Sequence, residues 1–241
     1  MRLHWDCDSV SSVEFPKYKF LDYGGPLPCV EGTPHHRSLP MIHVVDATNI
    51  HLYAAEMEQA YRLRHDIFVK DKGWSDLRRP DQREVDQFDD EHAVHLLAIQ
   101  GDDLVGYSRL LPTTRPYLLS SVLPELCDGP APSAPHIWEW GRICVSDRAR
   151  ISGRRLNPVA LALTTGIVEW GLPRGVSRFI SQNPTSWLLR LIQLHFRAFP
   201  LGLPRVIEGE EIIAVEAGFD ERTLRQLWAV RGADRPVLAA A

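Results

Sequence analysis

Two apolar runs, Val94 to Ile99 and Leu104 to Leu111, stand on either side of Gly101, Asp102 and Asp103. A short polar turn between such runs reads as a hairpin of antiparallel strands. A hairpin commits the neighbouring chain to a sheet with at least one covered face. The second run carries Arg109 in its middle, within GYSRLLP. A guanidinium inside an apolar strand is costly to bury without an anion. Asp86 or Asp89, in the polar stretch just ahead of the hairpin, is the economical candidate.

Other elements alternate around this hairpin. Ile42 to Asp46 reads as a strand, and Ile50 to Val69 as a helix with apolar residues at roughly helical spacing. Lys72 to Glu91 is a long charged loop. SSVLPEL reads as a short helical turn, and HIWEWGRICV as a buried strand. Asn157 caps an apolar helix to Gly171, with Pro158 in its first turn. Val176 to Ser181 is a strand and Pro184 to Phe196 a helix. Ala198 to Ile207 and Glu211 to Val215 are late strands, and Asp220 to Val230 is a terminal helix. The order predicts an α/β fold, a three-layer αβα sandwich around a mixed, largely antiparallel sheet.

Residues 1 to 40 combine prolines, glycines and aromatics without a sustained period. They are expected to be an extended or poorly ordered arm, or to lie ahead of a physiological start at Met41. The functional domain is then 41 to 241. With 241 residues, 44% hydrophobic and 24% charged, the chain can bury a substantial core. A formal charge of -4 argues against a nucleic-acid binder driven by phosphate neutralisation. No apolar run reaches the roughly 18 residues that would span a bilayer, and MRLHWDCDSV lacks a signal-peptide core, so a cytoplasmic protein is expected. Cys7, Cys29, Cys127 and Cys144 show no CxxC spacing and are expected to be reduced thiols, with no metal site.

Arg64 and Phe68 lie four apart, so on a helix they share a face. The alternative is a core Phe68 with Arg64 reaching solvent. Trp74 follows in a polar loop, and Glu84, Asp86 and Asp89 place three acids within six residues. Together they form either a solvated loop or a pocket for a small zwitterion with an extra positive charge. Glu139 and Arg142 are three apart, so both can line one cleft only if their strand bulges, and Gly141 between them favours that. A splayed strand frees N–H groups suited to an oxyanion. Arg148, Arg150, Arg154 and Arg155 precede a helix start, a basic loop suited to the phosphates of a phosphopantetheine arm or to an acidic carrier protein.

The ordered set YRLRHDIFV, Trp74, EVDQFDD, GYSRLLPTT and WEWGRICV resembles the acyl-homoserine lactone synthases, the LuxI-type autoinducer synthases of bacterial quorum sensing. The resemblance covers roughly Ile42 to Val215. It implies a fold similar to the GCN5-related N-acyltransferases, with a V-shaped cleft in the sheet. It implies S-adenosyl-L-methionine as amine substrate, acyl-CoA or an acyl carrier protein as acyl donor, and neither cofactor nor metal. The products would be an N-acyl-homoserine lactone, 5'-methylthioadenosine and the free thiol carrier.

Within that frame Glu139 is the expected general base and N–H groups near Gly141 hold the oxyanion. Phe68 and Trp74 close over the substrate, and Arg64 makes a carboxylate or loop-ordering contact. Asp86, Asp89 and Arg109 form a buried charge network that shapes the pocket, Glu84 is a substrate-binding residue, and Arg142 supports Glu139. Position 141 is often a small hydroxyl residue in this family but is glycine here, and Trp140 is bulky. These departures bear on the usual acyl-side hydrogen bonds, and the bulky aromatic restricts a straight long chain, which leans toward a short, branched or aryl acyl group. The competing readings are an acyl-CoA N-acyltransferase for another amine, and a non-catalytic sensor of S-adenosylmethionine or acyl lactones.

Overall fold

The computed structural model describes residues 40–151, 156–233 and 235–240. The N-terminal arm expected over 1 to 40, with Cys7 and Cys29, and the pair Arg154 and Arg155 lie outside the described residues, Pro40 excepted. The predicted hairpin is the strand pair β2 (Val94–Gln100) and β3 (Asp103–Pro112), with His95 opposite Arg109 and Leu97 opposite Tyr107. β1 (Met41–Val45) adds to the free side of β2, and β4 (Ile137–Val145) to that of β3, all antiparallel. β5 (Arg178–Pro184) then pairs parallel with β4. β6 (Arg197–Pro200) and β7 (Arg205–Ile207) both pair with β8 (Glu210–Gly218), which lies antiparallel to β5. The sheet is mixed and mostly antiparallel, in the order β1-β2-β3-β4-β5-β8-β6.

The period-2 alternation of the strands sorts the core into two faces. Leu96, Leu110 and Trp140 point to one side, where they meet α3 (Pro158–Gly171). That helix is apolar almost all round because the sheet covers one side and α5 (Glu221–Arg231) the other. Its start presses so closely on β3 that a Cβ at Gly106 would lie 2.6 Å from Val159 Cγ1. Asn157 caps α3 as expected, its side chain accepting from the N–H groups of Val159 and Ala160. Leu97, Tyr107 and Cys144 point to the other side, against Met57, Ala60 and Phe68 of the α1 (Ala54–Arg64) region. α2 (Leu118–Ser121) covers the same side further along, and α4 (Ser186–Gln193) packs on β5 and β6.

Two expectations change. The helix expected over Ile50 to Val69 is α-helical only through Arg64; a wider π-helical turn runs from His65 to Asp71. The late strand expected over Ala198 to Ile207 is two short strands. Pro200 and Pro204 lack the N–H a ladder needs, and Gly202 packs against Leu126 O.

The parallel pairing of β4 and β5 covers only Ile137 with Arg178, Trp138 with Phe179 and Glu139 with Ile180. Both strands run on unpaired with each other, so the sheet opens as a V from Glu139 onward. No helix among the described residues is long and apolar enough to cross a membrane.

Candidate active site

The π-helical turn after α1 ends in a chain reversal in which Trp74 N–H donates to Phe68 O. This brings the two rings into a stack with centroids 5.1 Å apart and planes 18° from parallel. Arg142 lies over both rings, at 5.5 Å from the centre of Phe68 and 6.0 Å from that of Trp74, and Lys72 Nζ is 4.9 Å from the Trp74 ring. π-helical turns widen a helix locally and often occur at functional sites.

Beside this stack, six side chains alternate in charge around a closed ring. Arg64 donates through Nε to Glu84 and through both Nη atoms to Asp89, at 2.8 and 2.9 Å. Asp89 is also ion-paired with Arg109, whose Nη1 lies 2.7 Å from its Oδ1. Arg109 forks onto Asp86 at 2.7 and 2.9 Å. Arg142 closes the circuit, 2.9 Å from Asp86 and 3.3 Å from Glu84. All six are buried or nearly so at their side chains. Three positive and three negative charges sum to zero, which is how a buried cluster of this size is tolerated.

Arg109 therefore engages both of the alternative candidates, Asp86 and Asp89, and Arg64 does not reach solvent. Burial alone would raise the carboxyl of Asp89, but Arg109 and Arg64 outweigh it and hold the group far below the usual carboxylate range. Asp86 is lowered in the same way by Arg109 and Arg142. Behind the ring, Arg64 Nη1 reaches the Tyr107 hydroxyl at 3.3 Å, and that hydroxyl is 2.7 Å from His95 Nδ1. Burial pushes His95 down to about 4.

Glu139 stands at the apex of the V, on the same face as Arg109, and is 2% exposed. Its Oε1 accepts from Leu119 N–H and Gln182 Nε2, each at 2.9 Å, and its Oε2 from Leu118 N–H at 3.0 Å. The carboxylate thus caps the first turn of α2 from a distant strand. Burial raises its pKa above the ordinary value, while those donors and Arg109 pull the other way.

The expected bulge exists but is displaced. Gly141 remains in register with Arg109, and the irregularity falls between Gly141 and Cys144. Arg142, not Gly141, adopts the left-handed conformation, with φ at 55°. This corrects the role expected of Arg142: the bulge aims it at Glu84 and Asp86, and Glu139 is supported by α2 and Gln182 instead. The space where a Cβ would project from Gly141 is open.

The anion site expected ahead of α3 is also revised. Asn157 occupies the helix-start N–H groups of Val159 and Ala160, and Arg150 is engaged by Asp71 at 3.1 Å and Asp147 at 2.8 Å. Arg148 borders a separate groove of about 710 Å³ between the α1 region and the hairpin turn. None of that groove's lining residues belongs to the charge ring. Asp90, Glu91 and His92 are close enough to share an ion but are largely exposed and outside the ring.

Three contributors escaped the sequence reading: Gln182, the N–H groups of Leu118 and Leu119, and the His95–Tyr107 pair. A glutamine just past the strand segment Phe179 to Ser181 was the available signal for the first. Backbone donors leave no signal in sequence.

A family model described as autoinducer synthase matches residues 48–224. The isovaleryl-homoserine lactone synthase of Bradyrhizobium diazoefficiens is 42% identical over 185 residues, covering 76% of this chain and 82% of that protein. A solved structure of a CoA-dependent acyl-homoserine lactone synthase, BjaI, with SAM and isopentyl-CoA, superposes with a TM-score of 0.76 at 40% identity, covering 81% of this chain and 91% of that one. That of MesI, also a CoA-dependent acyl-homoserine lactone synthase, does so with a TM-score of 0.75 at 34% identity, covering 83% and 100%. By these likenesses and the site they accompany, the chain belongs to the autoinducer synthase family and is an acyl-homoserine-lactone synthase.

Proposed function

We propose that this synthase acylates S-adenosyl-L-methionine from a short, branched acyl-CoA, and that Glu139 is its general base. The observation that carries the reading is the closed ring of Arg64, Glu84, Asp89, Arg109, Asp86 and Arg142 beside the Phe68–Trp74 stack, with Glu139 at the opening of the sheet. A rigid, charge-balanced wall next to two aromatic faces suits a sulfonium-bearing amino acid.

In the first step the α-amine, once deprotonated, attacks the thioester carbon. Glu139 takes the amine proton directly or through one water, and the proton passes to the departing thiolate to give free CoA. A carboxyl raised by burial suits both halves of that transfer. Backbone N–H groups near Gly141 are proposed to hold the oxyanion. In the second step the methionyl carboxylate attacks the γ carbon, and the carbon–sulfur bond breaks onto the sulfonium. The lactone closes and neutral 5'-methylthioadenosine leaves. This step is intramolecular and gains from a pocket that folds the chain onto itself.

The donor preference rests on relatives described as CoA-dependent and on one described as forming isovaleryl-homoserine lactone. It is supported by Trp140, which faces the α3 core at the β4–β5 opening, packs on Phe179 and Phe196, and is anchored through Nε1 to Ser108 Oγ at 2.9 Å. An immobile indole there leaves little room for a long straight chain. Arg148, Arg154 and Arg155 remain the proposed contacts for the CoA phosphates. S-adenosylmethionine is consumed as a substrate and no cofactor is invoked. Both substrates are metabolites of the cytoplasm, the proposed compartment, and the domain is proposed to begin near Met41.

The deciding experiment incubates purified protein with S-adenosylmethionine and matched panels of acyl-CoA and acyl-carrier-protein thioesters, and identifies lactones by mass spectrometry. Isovaleryl-CoA and its short neighbours are expected to outperform octanoyl donors and all carrier-protein donors. Preference for a carrier-protein donor would overturn the donor assignment.

A further inference from the structure

The parting of β4 from β5 is spanned on one face by a side-chain hydrogen bond. Gln182 is two residues beyond Ile180, the last β5 residue paired with β4, and shares its face; its Nε2 donates across the opening to Glu139 Oε1 at 2.9 Å. The other donors to Glu139, Leu118 N–H and Leu119 N–H, come from the α2 side alone. Gln182 is therefore the contact that holds the carboxylate from the opposite wall of the V. Its register partner is Ala214 of β8, an ordinary sheet position, so β5 does not need a polar residue there to pair.

The donor count also separates the two carboxylate oxygens. Oε1 receives Leu119 N–H and Gln182 Nε2, which fills its two in-plane lone pairs. Among the described residues Oε2 receives only Leu118 N–H and keeps one. We infer that Gln182 is a positioning residue for the acylation step: by saturating Oε1 it leaves Oε2 as the oxygen that takes the amine proton, and it fixes the carboxylate plane between the two strands. This rests on Glu139 being the general base.

The charged and titratable groups acting on Glu139 among the described residues are Arg109, from β3, and the Tyr117 hydroxyl, ahead of α2. β5 contributes the neutral amide of Gln182. Removing that donor takes away a contact that favours the ionised form, so the carboxyl titrates higher.

The test compares Gln182→Met, which keeps the length and loses the donor, with Gln182→Glu, which puts a second carboxyl against Oε1. Methylthioadenosine release is measured from pH 5 to 9 with S-adenosylmethionine and isovaleryl-CoA, with Glu139→Gln alongside. For Gln182→Met, kcat is expected to fall roughly tenfold with KM for S-adenosylmethionine nearly unchanged, and the acid limb to move up by about one pH unit. Gln182→Glu is expected to move that limb further, because two carboxyls in contact resist double ionisation. A folded Gln182→Met with an unshifted acid limb overturns the inference, as does an unshifted Gln182→Glu if the methionine variant does not fold. If Glu139→Gln keeps both activity and the acid limb, the base assignment itself fails and the inference with it. An inactive Glu139→Gln beside unshifted Gln182 variants sinks only the role of Gln182.

Discussion

Arg64 grips Asp89 with both terminal nitrogens, at 2.8 and 2.9 Å, although 24 residues lie between them and both side chains are inaccessible to solvent. Asp89 is shared with Arg109, so it is the joint between two arms of the charge ring. Asp89→Asn would leave the shape and remove one negative charge from a buried cluster of three arginines. Its stability to urea is expected to fall by about 3–5 kcal/mol. Equilibrium unfolding followed by tryptophan fluorescence measures this, and a loss under 1 kcal/mol would show that water reaches the cluster.

Acid should act on stability in two stages. His95 is held neutral, at about 4 against an ordinary 6.5. Its folded pKa lies below the unfolded one, so its contribution is complete above pH 6.5 and is lost as pH falls toward 4, at about 1.4 kcal/mol per unit. Asp89 and Asp86 are also lowered, so their contribution is complete above about pH 4 and is lost only below it. Urea midpoints measured from pH 8 to 3 should decline through both windows. His95→Gln should flatten the first and spare the second.

Trp74→Ala removes one ring of the stack with Phe68 and the surface beneath Lys72 and Arg142. The KM for S-adenosylmethionine is expected to rise on the order of tenfold, with a smaller change in kcat. Glu139→Gln is expected to do the reverse, lowering kcat roughly a hundredfold or more with KM little altered. Steady-state kinetics on both variants separates the binding wall from the chemistry; identical kinetic signatures would contradict that division.

Far from the site, Glu169 of α3 fastens the C-terminal segment. Its Oε1 accepts from Trp228 Nε1 at 2.8 Å, and its Oε2 from the N–H groups of Val237 and Leu238 at 2.9 and 3.2 Å. That segment in turn covers the outer edge of β1, where Ile42 N–H donates to Val237 O and Ala239 N–H to Ile42 O. Glu169→Leu should cost about 2 kcal/mol and speed hydrogen exchange at Ile42 and Ala239 ahead of the central strands. Unchanged exchange at Ile42 would mean that apolar packing of Val237 alone holds the edge.

Local chemistry was readable along the chain. Gly101 with its two aspartates announced the β2–β3 hairpin, Asn157 and Pro158 announced the start of α3, and the apolar run behind them its burial. An arginine in a strand implied a carboxylate partner, Asp86 or Asp89, and the fold supplies both. Legibility failed where a residue's direction depends on its backbone. The turn after Arg64 is π-helical, and the left-handed conformation of Arg142 sends its side chain away from Glu139. Nothing in the residue type of either position announces those angles. The prolines that split β6 from β7 were visible, but their effect depends on which strand needs the missing N–H.

The sequence by itself determined which chemical groups are present and which short elements carry them, because hairpin turns, helix caps and apolar periodicity act over a few residues. Only the tertiary structure decided the circuit. Six charges close into a ring across separations of up to 58 residues, and Glu139 meets Gln182 across 43. A buried charge is stable only when all its partners arrive together, and that depends on how the whole sheet folds rather than on any one stretch of chain.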